Sequence, residues 1–172
     1  TLGSSGVDDR LNFWNPTNGQ LVNFVASPGS PPSVSAITWS PSGTTIASGR
    51  RNHTVQVWDG RSDKPVQNLT AMAPVISTTW TTGGSTIAGA CEDRTVRFWD
   101  VESGRLRGHL IAEQDQVAAV SADGHFRAES GIETDLFYVV QTDKTQETLS
   151  ISDFATKSKW KNIPAQAAIM GK

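Results

Sequence analysis

The stretch STIAGACEDRTVRFWD, residues 85–100, decides how this chain is read, because its parts recur at a fixed interval on both sides of it. Trp14, Trp58 and Trp99 close the runs LNFWN, TVQVWD and TVRFWD, 44 and then 41 residues apart. A second series, ITWSPSG, TTWTTGG and AAVSADG, ends at Gly43, Gly84 and Gly124, which sets Trp39, Trp80 and Val120 41 and then 40 residues apart. Six residues before each late tryptophan stands a short polar side chain, Asp8, Asn52 or Asp93, and ten before stand Ser4, Ser48 and Gly89. Two independent markers therefore keep one period, and the register holds inside each unit.

A period of about 40–45 residues carrying four short strands and a Trp-Asp dipeptide is the pattern of a β-propeller blade. Trp58-Asp59 and Trp99-Asp100 are such dipeptides, Trp14-Asn15 is a near match, and Gly108-His109 matches the pair that opens a unit. On these residues the chain resembles the WD-repeat family over nearly its whole length. Its end, with YVVQT and SDFATKSKW, is similar to the C-terminal segment of bacterial-type WD-repeat proteins. The resemblance implies an all-β fold, a propeller segment of about four four-stranded antiparallel blades with a short C-terminal helix.

In order along the chain, residues 1–5 read as the end of a second blade strand and 11–14 as a third. The first blade, 1–26, is therefore partial. SPGSPPS at 27–33 is a loop, since its three prolines cannot donate to a ladder. Blade 34–70 reads as strands at 34–39, 44–48, 54–58 and 65–69, with RRNH as a turn; blade 75–110 repeats the plan at 75–80, 86–90, 95–99 and 105–110. A degenerate terminal blade, 116–149, keeps the register but puts Val139 in the tryptophan's place. Blades thus fill 1–149, and 150–172 holds a helix with Ser152 as its cap, Phe154 and Trp160 packing back on the sheet, and a loose tail.

Composition narrows the function classes. With 37% hydrophobic and 19% charged residues the chain is ordinary globular material. A net charge of −2, with the 15 basic residues scattered, gives no electrostatic footprint for nucleic acid. No apolar run approaches the roughly 18 residues that span a bilayer, so no membrane segment is expected. No compartment is encoded; the cytoplasm is the default, and any upstream targeting sequence would not be visible. Cys91 is alone and reads as a small buried filler. His53, His109 and His125 with one cysteine form no metal-ligand spacing, and no Gly-rich phosphate loop is present, so neither metal nor cofactor is expected. Asp123, His125, Glu129 and Glu133 gather acid–base types, but alternation along a strand sends neighbours to opposite faces and no nucleophile motif accompanies them.

The family resemblance implies structural roles for Trp14, Trp58 and Trp99 in the core. It further implies that each is linked through a strand-two Ser or Thr to a loop histidine, with a turn Asp completing the relay. Carried over by position, Trp58 pairs with Ser48 and Asn52 and Trp99 with Asp93; Asp8 stands six residues before Trp14, and His109 precedes the blade that has no tryptophan, so no complete four-residue network can be written. Gly89 replaces the serine for Trp99, and no histidine stands near Asn68 or Ser27 where one is expected. Trp39 and Trp80, ending the inner strands, and Arg50 and Arg51, in the one locally basic turn, are the candidates for partner contact.

The expected work is non-catalytic: a scaffold for protein–protein interaction, part of a larger WD-repeat propeller whose other blades or partner proteins cover the open ends of the arc. The resemblance implies about seven blades, and the mid-blade start leads to the expectation that this is the C-terminal portion of a longer protein. The ring would be latched by a strand donated beside 142–149. Two rivals stand beside it: a homo-oligomer in which two half-rings complete one propeller, and an enzyme or small-molecule binder using the central channel.

Overall fold

The computed structural model describes residues 1–6, 8, 10–26, 34–62, 64–113, 116–128, 136–141, 146–167 and 169. The chain divides into two compact units, Thr1–Arg107 and Gly108–Lys172.

The first unit holds three antiparallel sheets. Strands β1 (Leu2–Ser5), β2 (Arg10–Trp14) and β3 (Leu21–Ala26) form a three-stranded sheet in chain order. A four-stranded sheet follows, from β4 (Val34–Trp39), β5 (Thr45–Arg50), β6 (Thr54–Asp59) and β7 (Pro65–Thr70), again in chain order. Then β8 (Val75–Trp80), β9 (Thr86–Cys91) and β10 (Thr95–Asp100) pair side by side, and β11 (Leu106–Glu113) starts before the division and continues past it.

The repeat seen in the sequence is repeated in the backbone. Gly43 and Gly84 take φ of 67° and 70°, and each closes its turn by donating its N–H to the carbonyl three residues back, Ser40 or Thr81, at 2.8 Å. That left-handed conformation is what glycine supplies at no steric penalty. His53 and Arg94, 41 residues apart, also take positive φ at equivalent turns. Register shifts recur too, between Val34 and Ala36 in β4 and between Val75 and Ser77 in β8. At the first of these Ser35 turns its hydroxyl to Gly49 O, at 3.0 Å, and to Val75 O of the next sheet.

Two apolar seams hold the three sheets face to face. In one, Leu11, Phe13 and Val25 of the first sheet meet Ile46 and Trp58 of the second, with Val34, Ile37 and Trp39 beside them. In the other, Ala47, Val55, Val57 and Leu69 of the second sheet meet Val75, Ile87, Cys91 and Trp99 of the third. The second and third sheets therefore offer their Trp-bearing faces to the sheet before, and the first and second sheets their other faces to the sheet after. An indole removes roughly 150–250 Å² from water in such a seam, which at about 25 cal/mol per Å² is worth roughly 4–6 kcal/mol before ordering entropy is counted. This is an all-β arrangement of antiparallel blades stacked as in a propeller segment, and the described sheets do not close into a ring.

In the second unit, β11 pairs along Gly108–Glu113 with β12 (Gln116–Ser121), and β12 pairs with β13 (Phe126–Ala128). β12, read from sequence as the inner strand of a fresh blade, is thus hydrogen-bonded to the strand before it. Gly108 makes this approach possible: a Cβ there would lie 2.3 Å from Val120 O. β14 (Phe137–Gln141) and β15 (Gln146–Ser150) form a two-stranded sheet, followed by α1 (Ile151–Ser158) and a 3-10 turn, Pro164–Gln166. Ser150, not Ser152, caps the helix. Its Oγ accepts from Asp153 N at 3.2 Å, and Asp153 and Lys157 sit in the first and last turns where the helix dipole favours them.

Candidate functional site

The three tryptophans that define the repeat do not share one environment. Trp58 is 2% exposed and Trp99 1% exposed, whereas Trp14 is half-buried and belongs to neither seam, a correction to the expectation of three core indoles. The reason lies in the stacking order. Trp58 and Trp99 each face a preceding sheet, and among the described residues no sheet precedes β1–β3. Leu2, Ser4, Asn12, Trp14 and Phe24 share the outer face by register. On that face Phe24 is 45% exposed with Arg10 stacked over its ring at 5.0 Å, and neighbouring Val22 is 64% exposed.

Hydrogen bonding around the indoles also splits. Trp14 Nε1 donates to Ser4 Oγ at 2.7 Å and Trp58 Nε1 to Ser48 Oγ at 3.1 Å; the Ser48 hydroxyl in turn donates to Gln56 O at 3.2 Å. Trp99 has Gly89 where the others have serine, and its Nε1 donates to Thr70 O of the preceding sheet at 3.1 Å. None of the turn residues Asp8, Asn52 and Asp93 bonds an indole. Asp8 accepts from Arg10 N and Asn52 from Thr54 Oγ1, at 3.3 and 2.6 Å. Asp93 accepts from Thr95 N and Oγ1 and pairs with Arg97 at 2.7 Å. Its carboxyl is partly desolvated, which raises the pKa, but the bonds from Thr95 and Arg97 outweigh that and hold it low. The relay to Asp93 expected for Trp99 is thus replaced by a carbonyl across the seam.

The four partner-contact candidates fall at opposite ends of the sheets. At one end Trp39 and Trp80 are half-buried. Trp39 lies edge-on to Phe13, centroids 6.0 Å apart, and against Gly3 and Gly60, and its Nε1 meets no hydrogen-bond partner among the described residues. Trp80 Nε1 donates to Thr38 O at 3.3 Å. Both inner-strand indoles are thus spent partly on the preceding sheet. At the other end Arg50 is no turn residue: it ends β5, is 5% exposed and donates from Nη1 to Gln56 Oε1 at 2.9 Å. Past the register shift in β4, β5 stays paired as far as Arg50 opposite Val34, ending two residues later than the sequence pattern had it. Arg51 does lie in the exposed turn, 3.8 Å from Glu92. Together with His53 and Met72 it makes a rim, tied together by Ala71 N to His53 O at 2.8 Å and Glu92 N to Pro74 O at 2.9 Å. Met72, among the most exposed apolar side chains, carried no signal in the sequence pattern.

His109, expected to open a unit, sits within β11 and lines a cavity of about 290 Å³ in the second unit with Ile111, Phe126, Leu136, Tyr138 and Ile151. Burial pushes the Tyr138 phenol up. Of the acid–base types, Asp123 and His125 approach to 4.0 Å, and Glu129 and Glu133 lie outside the described residues. Among the described residues no three His, Cys, Asp or Glu side chains gather to hold a metal, and no helix is long and apolar enough to cross a membrane. Cys91 is buried and its thiol is pushed up by that burial.

The family model "WD domain, G-beta repeat" matches residues 19–59 and 63–100. Each match runs from an outer strand through the next three and ends on a Trp-Asp dipeptide, so the matched units are those whose stacking is described above. Repeats of this kind generally mediate protein–protein interaction and are typically not enzymes.

Proposed function

We propose, on the footing of the two repeats that match the WD-repeat family model, that the chain is a non-catalytic protein–protein interaction scaffold and forms part of a larger WD-repeat propeller. The observation that supports this most directly is the outer face of β1–β3. In the two later sheets the tryptophan on the equivalent face is buried against the sheet before it, whereas here Trp14 is half-buried, with Phe24 and Val22 in solvent beside it. A sheet face with this apolar content is one that another blade or protein covers. The rim of Arg51, His53, Met72 and Glu92 is the second contact surface, apolar at one point and mixed in charge around it. No nucleic acid, cofactor or metal enters the reading, and the work done is binding.

The test is a native pull-down with the intact gene product, run beside Val22→Asp/Phe24→Asp. Both side chains are exposed, so the fold tolerates the change, and the reading expects the proteins retained by the wild type to be lost from the variant. Sedimentation at micromolar concentration separates the rival half-ring: a dimer that the same two substitutions dissolve would replace the scaffold by self-assembly. A monomer that retains no protein with or without them would sink both.

A further inference from the structure

After α1 the chain turns back onto the second unit and closes the open edge of β13. Asn162 does this with its side chain: Oδ1 accepts from Phe126 N at 3.0 Å and Nδ2 donates to Phe126 O at 3.0 Å. β13 pairs with β12 on its other side, so the amide stands in for a neighbouring strand at the edge. One residue on, Ile163 N donates to His125 Nδ1 at 3.1 Å. Trp160 stacks on the same imidazole, ring centroids 5.2 Å apart and planes 20° from parallel.

His125 therefore holds this segment by one face and one nitrogen, with its side chain only 12% exposed. To accept from Ile163, Nδ1 must carry a lone pair, so the proton of the neutral ring is on Nε2, the atom directed to Asp123 Oδ2 at 4.0 Å. A second proton would go to Nδ1 and set two donors against each other. The bond to Ile163 would be lost and the attraction to Asp123 kept. We propose that residues 160–163 are a strap over the edge of β13 that is held more tightly while His125 is neutral and loosened by one hydrogen bond when the imidazole is protonated, so that the backbone pair of Phe126 is uncovered more often. Imidazoles make this change between about pH 5 and 8.

The groups around the ring are consistent with one proton acting. From the β12–β13 turn comes Asp123, whose carboxyl is held low, first by the Ser121 hydroxyl, and so stays ionised throughout that range. From β14 comes Tyr138, which meets Trp160 edge-on at 5.3 Å and whose phenol, pushed up by burial, stays neutral. From α1, Phe154 packs on Trp160, centroids 5.6 Å apart, while Asp153 and Lys157 are engaged with Ser150 and Glu147. Arg127 on β13 and Lys159 and Lys161 on the strap are exposed. His109 on β11 borders the same cavity as Gly124 and Phe126 and is the second imidazole to control for.

Amide hydrogen exchange on the full chain, corrected for the intrinsic pH dependence of exchange, reads the strap directly. Between about pH 8 and about pH 5.5 the protection of Ile163 and Phe126 should fall roughly five- to tenfold, the worth of one hydrogen bond. His125→Phe keeps a ring for Trp160 but no acceptor, and should show the low protection at both values; His109→Gln should respond as the wild type does. Unchanged protection in the wild type, or the same pH response in His125→Phe, overturns the proposal. Should that variant fail to fold, the nitrogen chemical shifts of His125 in the wild type decide at neutral pH: a proton on Nε2 supports the strap, and a proton on Nδ1 refutes it.

Discussion

The indole of Trp99 lies directly over Gly89, so closely that a Cβ added at Gly89 would stand 2.8 Å from Cζ3 of the ring. Ser4 and Ser48 hold the equivalent place under Trp14 and Trp58 and bond those indoles through their hydroxyls. The third blade has exchanged that hydrogen bond for contact: the ring drops toward the sheet and Nε1 reaches across the seam to Thr70 O. Sequence comparison within the chain would make Gly89→Ser a repair. The geometry makes it an intrusion into a seam where Trp99 has no room to retreat, and overpacking of this kind costs about 1–3 kcal/mol. Chemical denaturation should show Gly89→Ser less stable than the wild type, and a gain in stability would show that the ring can move to meet the hydroxyl.

Ser48 and Ser4 do the same work in different surroundings. Ser48 is fully buried and serves Trp58 and Gln56 O at once, so Ser48→Ala leaves an indole N–H without a partner in a dry seam. The loss should be about 1–3 kcal/mol. Trp14 is half-buried, and water can replace Ser4, so Ser4→Ala should cost less than half as much. Equal losses would mean that the outer face of β1–β3 is covered in solution.

Most of this architecture was legible in the residues. The spacing of Trp14, Trp58 and Trp99 and the turns ending at Gly43 and Gly84 dictated antiparallel units in fixed register, since a period held by two markers leaves few other folds. Three things were not legible, each for a physical reason. Strand pattern tells which residues share a face but not whether a neighbour covers it, which is why Trp14 read as core. How far pairing runs past a register shift leaves no local trace, so Arg50 read as a turn residue rather than the end of β5. Ser150 and Ser152 are equally good caps by type, and only the position of the Asp153 amide chooses between them. The surface candidates were the least legible part: Met72 has no partner in the repeat to give it away, and Trp39 and Trp80 read as contact candidates because the residues they meet, Phe13 and Thr38, lie 26 and 42 positions away.

Asp100, the acid of the last Trp-Asp dipeptide, is held down to about 2 by the Ser103 amide, then by the Ser103 hydroxyl and the Arg107 guanidinium. The hydrogen bonds are 2.8 and 2.7 Å from Ser103 N and Oγ to Oδ1, with Arg107 on Oδ2. The folded value lies below the ordinary 3.8, so this carboxylate's contribution is fully present above about pH 4 and is lost as pH falls toward about 2. Acid titration of unfolding should therefore show Asp100→Asn with a flatter loss of stability through that window. An unchanged slope would assign the acid sensitivity to other carboxylates.

The hairpin of β11 and β12 depends on Gly108 in a way that separates it from the turn glycines. Gly43, at φ 67° with open space around it, needs only the left-handed backbone, and Gly43→Ala should cost about 1 kcal/mol from that alone. At Gly108 a Cβ would meet backbone, 2.3 Å from Val120 O and 2.9 Å from Ser121 Cα, and backbone in a paired strand cannot swing aside as a side chain can. Gly108→Ala should accordingly open the pairing between His109 and Val120, at or above the ~1–3 kcal/mol of ordinary overpacking, and expose amides along β12 to exchange while those of β5 and β6 stay protected. If β12 keeps its protection in that variant, the close approach at Gly108 is not what holds the hairpin.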